Sequence, residues 1–154
     1  MLILGQMDSG KTSLCRTLLN YAQRQNHVPI YVNLDPNEDT ACIPGCISAT
    51  SVADLILPES DLLTDLVSSD EVLTIPYALY FGSPHPKNNP DLFKELCSRL
   101  ADKVNSHIIA HPKESDGGIF IDTPGNLDNV AHGFDLIMHI IASFSSTLVS
   151  FLSY

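Results

Sequence analysis

An apolar run, Met-Leu-Ile-Leu, passes directly into Gly5-Gln6-Met7-Asp8-Ser9-Gly10-Lys11-Thr12, and no other stretch constrains this chain as strongly. The pattern GxxxxGK[ST] is met in full by Gly5, Gly10, Lys11 and Thr12. Each residue type has a physical reason. Glycines let the loop curl until successive backbone N–H groups face inward on phosphate oxygens. A helix that follows at once offers its N-terminal N–H groups and the positive end of its dipole. Lys11 supplies a point charge between the outer phosphates, and the Thr12 hydroxyl is placed to ligate magnesium. A chance match in a chain of this size is about one in 200 from average residue frequencies. Residues 5–13, ending on Ser13, are therefore expected to bind a nucleoside triphosphate with magnesium.

The surrounding pattern is α/β. Residues 1–5 read as a buried strand. Residues 12–25 read as a helix with Leu14, Leu18 and Ala22 at helical spacing, flanked by Cys15 and Leu19. Residues 28–34 form a second strand that halts at Asp35-Pro36. Residues 73–81 are β-rich, and Pro84 and Pro86 mark a loop over 83–89. Pro90 opens a helix with the stripe Leu92, Leu96, Leu100 and Val104, with Phe93 and Cys97 beside it. Asn89 suits its cap, Pro90 its first turn, and Glu95 with Arg99 a favourable pair four apart. Strands are expected at 118–122 and 147–152, and a helix at 129–143. The region 37–71 is ambiguous, and Ala53-Asp54-Leu55-Ile56 fits helix or strand. Strands alternating with helices predict a mostly parallel, kinase-like P-loop sheet covered by helices on both faces. The chain starts on a core strand and stops just after another, which reads as a truncated fragment, 1–154, forming one P-loop domain.

Composition narrows the partners. Eighteen Asp and Glu face eight Lys and Arg, a net charge of −10, and the arginines are Arg16, Arg24 and Arg99. Such a surface repels a phosphate backbone at long range, so RNA would have to bind at a local site. The longest apolar stretch, 136–144, contains His139 and is far short of the roughly 18–20 residues of a membrane span. No basic region or small-residue cleavage site marks a signal peptide, and no membrane association is expected. Cys15, Cys42, Cys46 and Cys97 lack the spacing of a zinc site and are expected as reduced thiols. His107 and His111 have helical spacing but form a lone couple.

A second acidic group must help hold magnesium or activate a nucleophile. Asp35 and Asp122 each close an apolar strand, where both could enter the crevice at the carboxyl ends of the sheet. The residues alone do not rank them. Asp122-Thr123-Pro124-Gly125 also suits a GTPase, in which it senses the outer phosphate. The guanine-reading Asn-Lys-x-Asp element is absent from the sequence, as is the Gly-Pro-Asn tripeptide of the Gly-Pro-Asn-loop GTPases.

Five segments together carry a resemblance: 5–22 (GQMDSGKTSLCRTLLNYA), 31–36 (YVNLDP), 43–50 (IPGCISAT), 81–93 (FGSPHPKNNPDLF) and Thr123-Pro124-Gly125. In this order they resemble the eukaryotic polynucleotide 5′-hydroxyl kinase family, and within it the fungal branch of the subunit that serves mRNA 3′-end cleavage and polyadenylation. The resemblance implies a P-loop kinase fold, ATP and Mg2+, other subunits of that machinery as partners, and the nucleus as location. Lys11 and Thr12 match the phosphate lysine and the magnesium hydroxyl. Asp35 matches the acid that activates the RNA 5′-hydroxyl, and Thr123, Pro124 and Gly125 match the loop that clasps RNA. The sequence departs from active kinases at Pro36-Asn37-Glu38, where they carry a Gly-Gln type sequence. It has Asn126 where they have a base-stacking tryptophan, a loss of roughly 1–3 kcal/mol in base binding. The family's arginine-bearing lid and flanking domains have no counterpart in these residues. The resemblance thus implies an ATP-holding subunit, with an active RNA 5′-hydroxyl kinase as the alternative.

Overall fold

A computed structural model of the chain describes residues 1–38, 42–53, 77–125, 127 and 133–153. Within them run β1 (Leu2–Gly5), α1 (Lys11–Arg24), β2 (Ile30–Asn33), β3 (Cys46–Ser51), β4 (Tyr77–Tyr80), α2 (Pro90–Ala110), β5 (Ile119–Asp122), α3 (Gly133–Ser143) and β6 (Val149–Leu152). The strands form one sheet in the order β4-β3-β2-β5-β1-β6. Strand β5 is parallel to both β1 and β2, and β6 is parallel to β1. Residues 73–76, 54–56 and 129–132 of the expected elements lie outside the described residues, as does Asn126.

Side chains alternate across the pleat, and both faces are covered. Ile3 and Tyr31 point to one side and pack with Cys15 and Leu19 of α1. Leu2, Leu4, Ile30, Val32 and Ile121 point to the other, onto Phe93, Leu96, Cys97 and Leu100 of α2 and Leu136 and Ile140 of α3. Lys94 pairs with Asp135, and the His139 Nε2 stands 2.9 Å from the Ser98 hydroxyl, locking α2 against α3. The expected mostly parallel sheet with helices on both faces is what forms.

Two details differ from the pattern expected from the sequence. The β2–β3 and β3–β4 pairs are antiparallel. Strand β3 (Cys-Ile-Ser-Ala-Thr-Ser) is entirely buried yet small and polar, so it lacks the apolar run that marks a central strand. In α2 the buried stripe includes Phe93, which is fully buried, while Leu92 is 38 % exposed. Helix α2 must meet both the sheet and α3, so its apolar face turns toward Phe93, whose ring meets Phe81 edge-on with centroids 5.4 Å apart.

The α2 entry follows its sequence signals. The Leu92 N–H donates to the Asn89 side chain at 3.2 Å, with Pro90 in the first turn. Arg99 reaches Glu95 at 2.8 Å. Asn89→Ala is expected to cost about 1 kcal/mol through the lost cap, lowering Tm by roughly 2–4 °C in a domain of this size. Thermal unfolding followed by circular dichroism checks it; an unchanged Tm would mean water replaces the cap without loss.

Candidate functional site

The parallel strands deliver their carboxyl ends to one edge of the sheet. Because β5 lies between β1 and β2, its last residue Asp122 stands between the loop after β1 and Asp35 after β2. The backbone register shows this directly, with Asp122 opposite Ile3 on one side and Asn33 on the other.

The loop from Gly5 to Gly10 turns into α1 through Gly10, whose φ of +86° suits glycine alone among residues without a local polar side chain. Asp8 holds φ +60°, a conformation aspartate tolerates. The start of α1 has no side-chain cap and no acidic residue in its first turn, so its N–H groups are presented to an incoming anion. Lys11 is buried, and its Nζ donates to the Gln6 carbonyl at 2.8 Å. The Thr12 hydroxyl donates to the Glu38 carboxylate, 3.0 and 3.1 Å from its two oxygens. Ser13 is exposed on the next step of the helix, and its carbonyl accepts from Thr17. Ser9 Oγ is buried with no hydrogen-bond partner.

Asp122 is 1 % exposed. The Tyr31 hydroxyl donates to its Oδ2 at 3.3 Å, while its Oδ1 is buried with no partner. Burial pushes its carboxyl up to about 6; the Glu38 and Asp35 charges add to the rise and the Lys11 charge opposes it. Asp35 is also raised above the usual carboxylate range, first by burial. The Asn37 N–H donates to its Oδ1 at 2.9 Å and opposes that rise, as does the Gly125 N–H. A carboxyl shielded in this way keeps a proton-accepting role at hand.

Thr123 turns inward, its hydroxyl donating to the Ile3 carbonyl at 2.7 Å and tying β5 to β1. Gly125 lies against the phosphate loop: a Cβ there would stand 2.8 Å from Met7 Cα and 3.0 Å from Met7 N. Pro124 and Gly125, together with Met7, Asp35, Pro84 and Lys87, line a cleft of about 200 Å³ that opens beside the loop. A larger cavity, about 340 Å³, sits at the other end of the sheet against Lys103, His107 and His111, and shares no residue with the phosphate loop. There His107 Nε2 is 3.1 Å from the Ser51 hydroxyl.

The structure thus gathers Lys11, Thr12, Asp35, Asp122 and Gly125 around one crevice. Sequence reasoning missed two members. Tyr31 is an interior strand residue whose hydroxyl finds Asp122 only through the β2–β5 pairing. Glu38 is noticed in the sequence only as a departure, and its contact with Thr12 spans 26 positions. The residues present fit a magnesium–phosphate group: a helix start without acid, a hydroxyl, a buried unpartnered carboxylate oxygen and a buried lysine.

Residues 5–154 match the family model described as mRNA cleavage and polyadenylation factor CLP1 P-loop. The chain is 34 % identical over 151 residues to mRNA cleavage and polyadenylation factor clp1 of Botryotinia fuckeliana, covering 97 % of this chain and 33 % of that protein. Among solved structures, a complex of Clp1p with residues 454–563 of Pcf11p matches with TM-score 0.83 and 30 % identity, over 99 % of this chain and 36 % of the other. A structure of the extended interface between Pcf11p and Clp1p, which also concerns ATP loss in a point mutant, matches with TM-score 0.81 and 28 % identity, over 97 % of this chain and 36 % of the other. The chain spans about a third of the length of the relatives it matches. Among the described residues no helix is long and apolar enough to cross a membrane.

Proposed function

Because this chain belongs to the mRNA cleavage and polyadenylation factor CLP1 P-loop family, we propose that it is the single P-loop domain through which a subunit of that machinery holds ATP with magnesium. The observation that carries this is the buried Asp122 carboxylate, whose Oδ1 has no protein partner beside the phosphate loop. Buried acceptors are seldom left unpaired, and a bound ion is one of the ways such an oxygen is satisfied. Lys11 would leave the Gln6 carbonyl for the outer phosphates, and the α1 N–H groups would hold phosphate oxygens. Thr12, Asp122 and Asp35 would hold magnesium, which when bound draws charge from the outer phosphates. A firmly bound nucleotide then stabilises the domain: at 100 times its dissociation constant it adds about 2.7 kcal/mol.

The Clp1p structures contain Pcf11p, and by extension this chain's partners are other subunits of the cleavage and polyadenylation complex, in the nucleus. Its net charge of −10 suits a docked subunit better than a lone RNA-binding enzyme. One observation favours a second function, transfer of the ATP outer phosphate to an RNA 5′-hydroxyl. Asp35 lines the cleft beside the loop with Pro124 and Gly125, where a substrate hydroxyl could approach its raised carboxyl as proton donor. Labelled-phosphate transfer to a 5′-hydroxyl RNA that disappears in Asp35→Ala would establish that activity.

The primary test is calorimetric titration with ATP and with GTP, each with magnesium. ATP is expected to bind at least tenfold more tightly. Preference for GTP would favour a Gly-Pro-Asn-loop-like GTPase, and no binding of either by the folded protein would end the nucleotide assignment.

A further inference from the structure

We propose that Glu38 makes nucleotide binding by this chain dependent on the divalent cation, its carboxylate excluding a metal-free triphosphate from Thr12 and accepting the metal of a metal-bound one. This role rests on the nucleotide site above and adds to it a residue outside its motifs. The Thr12 hydroxyl, the group of the phosphate loop placed for the cation, is held by Glu38 at 3.0 and 3.1 Å. Glu38 is brought there by a backbone turn, its N–H on the Asp35 carbonyl at 3.3 Å, so the two acids travel together. Beneath them Asp122 is 1 % exposed with Oδ1 unpartnered. The Glu38 carboxylate therefore lies on the Thr12 hydroxyl, with the Asp35 and Asp122 carboxyls and the Lys11 ammonium near enough to act on one another electrostatically.

Like charges at this range oppose a bare triphosphate, and the partial burial of the site strengthens that opposition. The same charges attract a metal-bound triphosphate, whose cation turns the repulsion into attraction. Magnesium keeps several of its waters and is bound through one or two carboxylates plus substrate phosphates, so Glu38 needs only to reach the ion or one of its waters. Among the described residues no group of three or more acidic, histidine or cysteine side chains is spaced to hold a metal ion unaided. A cation here would take phosphate oxygens and waters to complete its shell, and the shared phosphate oxygens couple the two ligands.

The test compares ATP affinity in excess Mg2+ with that in EDTA, for the intact protein and for Glu38→Gln, which keeps the shape and removes the charge. The unaltered protein is expected to show a large ratio between the two conditions. In Glu38→Gln that ratio is expected to fall at least tenfold, by tighter binding in EDTA and weaker binding in Mg2+. Glu38→Ala, for which the same fall is expected, covers the case in which glutamine disturbs the turn, and circular dichroism verifies that each variant is folded. An equal ratio in folded variant and unaltered protein overturns the role of Glu38 alone. No ATP binding by the unaltered protein in either condition overturns the nucleotide site and this role with it.

Discussion

Lys11→Ala is expected to weaken ATP binding by at least about 100-fold while leaving the fold intact. The side chain is 7 % exposed, and its Nζ donates to the Gln6 carbonyl at 2.8 Å. In that position the ammonium is shielded from water yet only one short movement from where the outer phosphates would lie. Truncating one partner of a buried charged contact costs about 2–5 kcal/mol, and 100-fold corresponds to about 2.7 kcal/mol. Stability should change little by comparison, because the ligand-free amine makes a bond to a neutral carbonyl that water can replace at a loop. Calorimetry gives the affinity, and thermal unfolding gives the control. A folded variant that binds within threefold of the unaltered protein would show that the loop does not hold a triphosphate through Lys11.

The second large effect is expected at Asp122, and it has opposite signs for stability and binding. In the ligand-free fold, burial raises this carboxyl from its ordinary 3.8 to about 6. Between those values the folded chain binds more protons than the unfolded one, so stability falls as pH rises. Its contribution is fully present below about pH 4 and is lost by the time pH has risen through 6. A difference of about two pKa units corresponds to roughly 2–3 kcal/mol. Asp122→Asn removes the charge and keeps an acceptor for the Tyr31 hydroxyl. Without nucleotide, the variant is therefore expected to be more stable than the unaltered protein at pH 7.5, with the difference shrinking as pH falls and nearly gone below about pH 4. Comparing the two proteins cancels the other groups that titrate. In the presence of magnesium, ATP affinity should fall at least tenfold, the familiar exchange of stability for function at a site held in a strained electrostatic state. A variant no more stable at pH 7.5 would mean that Asp122 carries no burial penalty there.

Much of this site is visible in the order of residues because it is local. The loop from Gly5 to Thr12 needs glycine where the chain turns sharply and lysine at one fixed step, so spacing alone exposes it. Asp35 and Asp122 stand out because each ends an apolar run, and parallel pairing carries such ends to the same edge. Glu38 is different: it follows a proline turn in a segment without periodicity, and only the fold places it on Thr12. Strand β3 escaped for a related reason. Its Ser48, Ala49, Thr50 and Ser51 are buried between β2 and β4, so their environment is apolar although their side chains are not. In α2 the helical period correctly marked the face that packs, but a helix wedged between a sheet and a second helix has a broad apolar arc. That is why Phe93 lies inside while Leu92 stays half in water.

Gly125 touches the backbone of Met7 with no room for even a methyl group between them. The turn after β5 and the phosphate loop therefore cannot move toward one another, and Met7 and Gly125, which meet there, both line the neighbouring cleft. Linkage between such pockets is reciprocal. Whatever factor a seated nucleotide adds to the affinity of an occupant of the cleft, that occupant returns to the nucleotide. The sign of that factor is set at the Met7–Gly125 contact: an occupant of the cleft that holds Met7 where a nucleotide needs it helps the nucleotide, and one that displaces Met7 opposes it.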